Sequence, residues 1–141
     1  MENGQKPANQ SGLQRIRDFT DLETWRFARR LRVEVYRICQ GFPKNETFGL
    51  ASQIRRAAVS VTAKIAEGFG CYSYQENIQF CRQSRGSVYE LRDHFTTALD
   101  AGYITKEQYS VLDRQAISVT KLINGYIRST KERKAKPSDN S

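Results

Sequence analysis

Histidine is almost missing from this chain: His94 is the only one. The three cysteines, Cys39, Cys71 and Cys81, are odd in number and stand in no CxxC or Cys/His spacing. Neither a structural zinc site nor a disulfide framework is therefore expected, and no cofactor is implied. Proline is confined to Pro7, Pro43 and Pro137, which leaves residues 44–136 open to long helices. No run approaches the roughly 18 apolar residues of a membrane span, and residues 1–19 lack the apolar stretch of a secretory signal. A cytoplasmic protein without a membrane partner is the expectation. Acidic residues are the scarcer charge, 15 against 23 Lys and Arg, for a formal net charge of +8. Fifteen of those cations are Arg, whose planar fork suits phosphate and carboxylate. What the chain does have is 141 residues with 38 % apolar side chains, enough for one domain with an ordinary core.

Four segments between polar ends carry helical periodicity. The first opens with the capping box Thr20-Asp21-Leu22-Glu23 and repeats Thr24, Ala28, Leu31, Val35 and Ile38. Gly41 is expected to supply a left-handed stop and Phe42 to fold back on the last turn, giving a helix over about 21–40. The second runs from about Phe48 to Glu67 on Leu50, Ile54, Ala57, Val61 and Ile65, a slim apolar side, and stops at Gly68-Phe69-Gly70. The third opens with Ser73-Tyr74-Gln75-Glu76 and continues through Ile78, Cys81, Ser84, Val88, Leu91, Phe95 and Ala98 to Gly102. The fourth opens with Thr105-Lys106-Glu107-Gln108, repeats Tyr109, Leu112, Ala116, Val119, Ile123 and Tyr126, and should end near Thr130. Short connections favour antiparallel neighbours, so the pattern predicts an all-α, up-down-up-down antiparallel four-helix bundle over 19–130. Residues 1–18 read as a flexible segment and 131–141 as a basic disordered tail containing Lys131, Arg133, Lys134 and Lys136. Gly86 and Gly125 interrupt helical patterns and suggest close helix approach.

The stretches TDLETW, FPKNETFGLASQIRRAAVSVTAKIAEGFG and LDAGYI follow one another in order. Together they closely resemble the 23S rRNA intervening-sequence protein family, also called four helix bundle proteins, from about Asp18 to about Ile127. The resemblance implies a left-handed bundle, assembly as a ring-like homopentamer, and for some relatives a gene inside an insertion in a large-subunit rRNA gene. It also implies a remote branch that binds nucleic acid and a reverse transcriptase. No biochemical activity is established for the family as a whole. Where relatives carry a proline after the equivalent of Ser60, this chain reads Val61, Thr62, Ala63 and Lys64. A straighter, fully bonded second helix is expected there.

At 100° per residue, Arg26, Arg29, Arg30 and Arg37 fall within about a 100° sector opposite the first apolar stripe. Such a stripe is either a solvated face or a phosphate-binding one. Arg56, Arg82 and Arg85 would extend it on the second and third helices. Arg55 flanks the core and is expected to pair with Glu67 or Glu90. With Gln53 and Ser60 these form a candidate structural polar network. A catalytic pair of Glu67 and Glu90 is conceivable, but no histidine, metal-ligand pattern or phosphate loop accompanies it, and an enzyme is not the reading. Trp25, Tyr36, Tyr89 and Leu122 lie off the stripes and suggest an oligomer interface. Five copies of a +8 chain would carry about +40, enough to concentrate RNA or DNA. The alternative is an oligomeric scaffold for a protein partner.

Overall fold

The computed structural model describes residues 15–135, which fold into four α-helices and two 3₁₀ turns with no strand among them. The expected flexible segment 1–18 falls largely outside the described residues, as does the end of the expected tail, including Lys136. The helices are α1 (Glu23–Cys39), α2 (Leu50–Phe69), α3 (Tyr74–Asp100) and α4 (Lys106–Ala135).

The capping box ahead of α1 forms earlier than expected. Asp18 accepts from the Phe19 amide at 2.8 Å, and Asp21 accepts from the amides of Arg17 and Asp18 at 2.9 and 3.1 Å, closing a 3₁₀ turn over Phe19–Asp21. A carboxylate at each end of the turn outcompetes the Thr20 hydroxyl, and α1 starts behind Leu22 with no side-chain cap. The two donated amides hold the Asp21 carboxyl below its usual range. Thr24, Ala28, Leu31 and Val35 are buried as the period requires, but the last core place goes to Cys39, and Ile38 is only partly buried.

Gly41 is not left-handed; Gly102, at φ +78°, is the one positive-φ glycine among the described residues. Phe42 packs on Tyr103 at a ring separation of 5.3 Å. Tyr103 in turn donates to Glu46 at 2.8 Å, and the other Glu46 oxygen accepts the Leu50 amide at 2.9 Å, so one carboxylate caps α2 and ties the α3–α4 turn to it. These two donors lower the Glu46 pKa.

Helix α2 begins two residues later and ends two later than expected, and its inner side is small rather than slim. Ala51, Ile54, Ala57, Ala58, Val61, Thr62, Ile65 and Gly68 are all buried. Small side chains let α3 close on it: Ser84 Oγ donates to the Val61 carbonyl at 2.7 Å, and the hydroxyls of Ser60 and Ser87 lie 2.9 Å apart. Val61 to Lys64 run as unbroken helix. In α3 Ser73 caps the Glu76 amide at 3.0 Å, and every residue of the expected stripe is buried. Thr105 and Gln108 cap α4 reciprocally, at 2.8 and 3.0 Å. That helix buries Leu112, Ala116, Val119, Thr120, Ile123, Ile127 and Thr130 and continues to Ala135, so residues 131–135 are helical. Tyr109 and Tyr126 flank its core rather than fill it.

Each helix packs on its sequence neighbour and α1 also packs on α4. Between α3 and α4 the contacting residues rise on one helix as they fall on the other: Arg85 meets Asn124 and Arg92 meets Asp113. Neither Gly86 nor Gly125 marks a helix approach. A Cβ at Gly86 would meet open space, and one at Gly125 would touch only the Arg128 side chain at 3.7 Å. The close approach is at Gly68, where a Cβ would sit 2.7 Å from Asn77 Oδ1, 3.0 Å from the Asn77 carbonyl and 3.1 Å from Phe80 Cβ.

Two glycine substitutions should therefore differ in sign. Gly68→Ala is expected to lower the unfolding free energy by about 1–3 kcal/mol through overpacking. Gly86→Ala should raise it by about 0.5–1 kcal/mol by removing backbone entropy from the unfolded chain. Urea titration of both variants checks this, and equal shifts would contradict the packing described.

Candidate nucleic-acid interface

Burial of Thr24, Ala28, Leu31 and Val35 turns the opposite side of α1 to solvent, and that side carries Arg26, Arg29, Arg30, Val33 and Arg37, all exposed. The four guanidiniums are not equivalent. Arg26 donates to the Thr20 carbonyl at 2.9 Å and lies 3.8 Å from Asp21, and Arg37 bonds Glu34 one turn back. Arg29 lies 5.8 Å from the Trp25 ring centre and Arg30 4.7 Å from that of Phe27, with no carboxylate partner for either among the described residues. Two cations are thus tethered and two are open. Arg26, Arg29 and Arg30 border a shallow groove of about 760 Å³ that also takes in Asp21, Trp25, Val33, Glu34 and, from α4, Gln115. Gln115 Oε1 is buried there without a hydrogen-bond partner.

The other sequence candidates separate. Arg56 is exposed and 3.9 Å from Glu90, a loose pair. Arg82 is exposed, with no side-chain partner among the described residues. Arg85 does not belong to an open surface: its Nη1 donates to Asn124 Oδ1 at 2.7 Å and ties α3 to α4. Arg55 finds neither expected carboxylate. It donates to the Thr47 carbonyl at 3.5 Å and lies over Tyr36 at 5.9 Å, because the residues across from it belong to the end of α1.

The expected network of Gln53, Arg55, Ser60, Glu67 and Glu90 does not assemble. Gln53 is exposed, Ser60 meets Ser87, Glu67 pairs with Lys64 at 3.5 Å, and Glu90 holds His94 at 3.1 Å and Arg56. Glu67 stands eleven residues along α2 from Arg56, about 16 Å by helical rise, so it cannot act with Glu90 on one atom. Among the described residues no group of three or more His, Cys, Asp or Glu could hold a metal. All three cysteines are free thiols. Burial raises those of Cys39 and Cys81, the latter to about 12.

Of the candidate interface residues, Tyr36 and Tyr89 are exposed, whereas Trp25 is half-buried, edge-on to Phe19 at 5.2 Å. Leu122 is also half-buried, and its carbonyl accepts from Thr24 at 3.4 Å. Val33, Val59 and Val111 are further exposed apolar residues that periodicity alone does not single out. Sequence reasoning also missed two structural arginines. Arg32 donates to Thr62 at 2.9 Å, and Arg92 grips Asp113 with two bonds of 2.7 and 3.2 Å. The signal available for both was position, since each flanks a core stripe facing a polar residue of the next helix.

A family model described as 23S rRNA-intervening sequence protein matches residues 20–125. Among solved structures, a protein of unknown function from the S23 ribosomal protein family of Bacteroides thetaiotaomicron is 20 % identical, with a TM-score of 0.70. The match covers 74 % of this chain and 95 % of that one, and at such identity it speaks to the fold alone. No curated protein matches.

Arginines that hold helices together should be separable from those that only face water. Asp113→Asn, which removes the charge opposite a guanidinium whose side chain is 30 % exposed, is expected to cost about 1–2 kcal/mol in urea titration. Arg29→Gln and Arg30→Gln should each stay within about 0.5 kcal/mol of the parent.

Proposed function

The chain belongs to the 23S rRNA-intervening sequence protein family, and on that premise we propose that it is a non-enzymatic, self-associating helical protein whose outer α1 face binds RNA or DNA. The observation that carries the reading is the open pair Arg29 and Arg30, set between Arg26 and Arg37 on one exposed helix face. Guanidiniums without carboxylate partners can give their forked donors to phosphate without breaking a bond that holds the fold. The aromatic rings beneath them restrict their motion and so reduce the entropy lost on contact.

Arg56 and Arg82 add long-range attraction in this reading, whereas Arg85 does not, being committed to Asn124. The face provides phosphate contacts and no base reader, so binding is salt-steep and weakly selective for sequence. Self-association is supported by the exposed Tyr36 on α1, Val59 on α2, Tyr89 on α3 and Val111 on α4, with a homopentamer, as the family resemblance implies, for the assembly. The separation of Glu67 from Glu90 along the bundle, too great for the two to act on one atom, supports the non-enzymatic reading.

Fluorescence anisotropy with labelled structured RNA, duplex DNA and single strands, at about 50 and 200 mM salt, tests the reading. The expected result is binding that weakens at least tenfold between the two salts and is lost in the Arg26/Arg29/Arg30→Glu variant. Feeble binding, or binding unchanged by the reversal, would favour the scaffold for a protein partner. Sedimentation of the free protein should give a mass well above 16.2 kDa at micromolar concentration; single-chain mass would sink the self-association.

A further inference from the structure

We infer that α4 carries a second phosphate-binding track, formed by Arg114, Lys121 and Arg128, which runs beside the α1 face. The inference rests on the nucleic-acid reading of α1 and extends it to a helix whose outer side that reading does not use. The three residues are spaced by seven, and seven steps of 100° fall 20° short of two turns, so all three lie within about 40° of one another. They span 14 residues, about 21 Å of helix, at intervals of about 10 Å. Burial of Leu112, Ala116, Val119 and Ile123 places the track on the solvent side, and all three cations are exposed.

Their environment is what an anion would need. Between Glu107 and Glu132, which bound the track at its two ends, the only acidic residue is Asp113, and Arg92 already holds both its oxygens. None of the three has a carboxylate partner among the described residues, whereas Arg26 and Arg37 on the outer face of α1 do. Gly125 contributes space, since Arg128 Nη2 lies 3.7 Å from where its Cβ would be and the guanidinium can lie along the helix.

The occupant is a sugar-phosphate backbone. A duplex presents about 12 charges over 21 Å, so a line of cations at regular spacing meets phosphates in any register. An acidic protein would instead need an apolar anchor at the centre of the contact. The residues three and four places from Lys121 are Ile117, Ser118, Asn124 and Gly125, and none of them is an exposed large apolar side chain. Because α1 and α4 are neighbours, the two tracks face the same side of the molecule across the junction where Gln115 sits.

The test is anisotropy of the full chain with a labelled DNA duplex of about 20 base pairs over a range of salt. The Arg114/Lys121/Arg128→Gln variant is compared with a variant that loses the same charge at Arg17, Lys44 and Lys64, and circular dichroism verifies folding of both. The α4 variant should bind at least tenfold more weakly, with a slope of log K against log salt shallower by about 2 to 3, while the control loses less than threefold. Equal losses in the two variants would overturn the track and leave the α1 reading intact. Absence of binding by the parent would overturn both, and equal affinity for poly-glutamate would replace the nucleic acid with an acidic protein.

Discussion

The close contact of α2 with α3 is the constraint from which the rest of the molecule takes its register. Small residues of α2 such as Ser60 and Gly68 let α3 come close, so hydroxyls reach across directly, as Ser84 does to the Val61 carbonyl at 2.7 Å. Such contact admits little sliding, because a shift by one residue would bury an unpaired hydroxyl and drive a side chain into the Gly68–Asn77 junction. With α2 and α3 fixed, Leu31, Phe95, Leu112 and Ile123 fill the volume left between the pairs. Arg32 then meets Thr62, and Arg92 meets Asp113.

That register divides the arginines into two populations. Those on the flank of a core stripe are half-desolvated and are held by a partner on the next helix, as Arg32, Arg85 and Arg92 are. A guanidinium taken partly out of water needs that compensation. Those opposite the stripe keep their hydration and need no protein partner, so they can exchange water for phosphate. Arg29, Arg30, Arg114 and Arg128 belong to this second group. A formal +8 is thus a surface property here, concentrated on α1 and α4.

Helical period made the four helices and most of the core legible, above all in α3, where all seven expected stripe positions are buried. The capping boxes of α3 and α4 were legible for the same local reason. Errors came where two local solutions compete or where the answer lies on another helix. Asp18 and Asp21 displaced the Thr20 cap, because carboxylates accept amides better than a hydroxyl does. Gly86 read as a packing glycine but faces open space, and Gly68 read as a stop but is the true close approach; both depend on what stands opposite. The candidate α1 face was legible because it is a property of a single helix. The polar network of Gln53, Arg55, Ser60, Glu67 and Glu90 was not, because residues with shared polarity along two helices need not meet across them. Arg114, Lys121 and Arg128 lie within the fourth helix as the sequence alone places it, so their seven-residue repeat was legible there, although the periodicity of the apolar stripe does not single it out.

The central claim is that cations not used to hold the fold are the ones that meet nucleic acid. Photo-crosslinking of the full chain to 4-thiouridine-substituted RNA, followed by peptide mapping, tests it at residue level. Crosslinks concentrated in Glu23–Cys39 and Lys106–Ala135, and sparse in Leu50–Phe69, are the predicted result. Crosslinks centred on α2, or spread evenly over the surface, would contradict it.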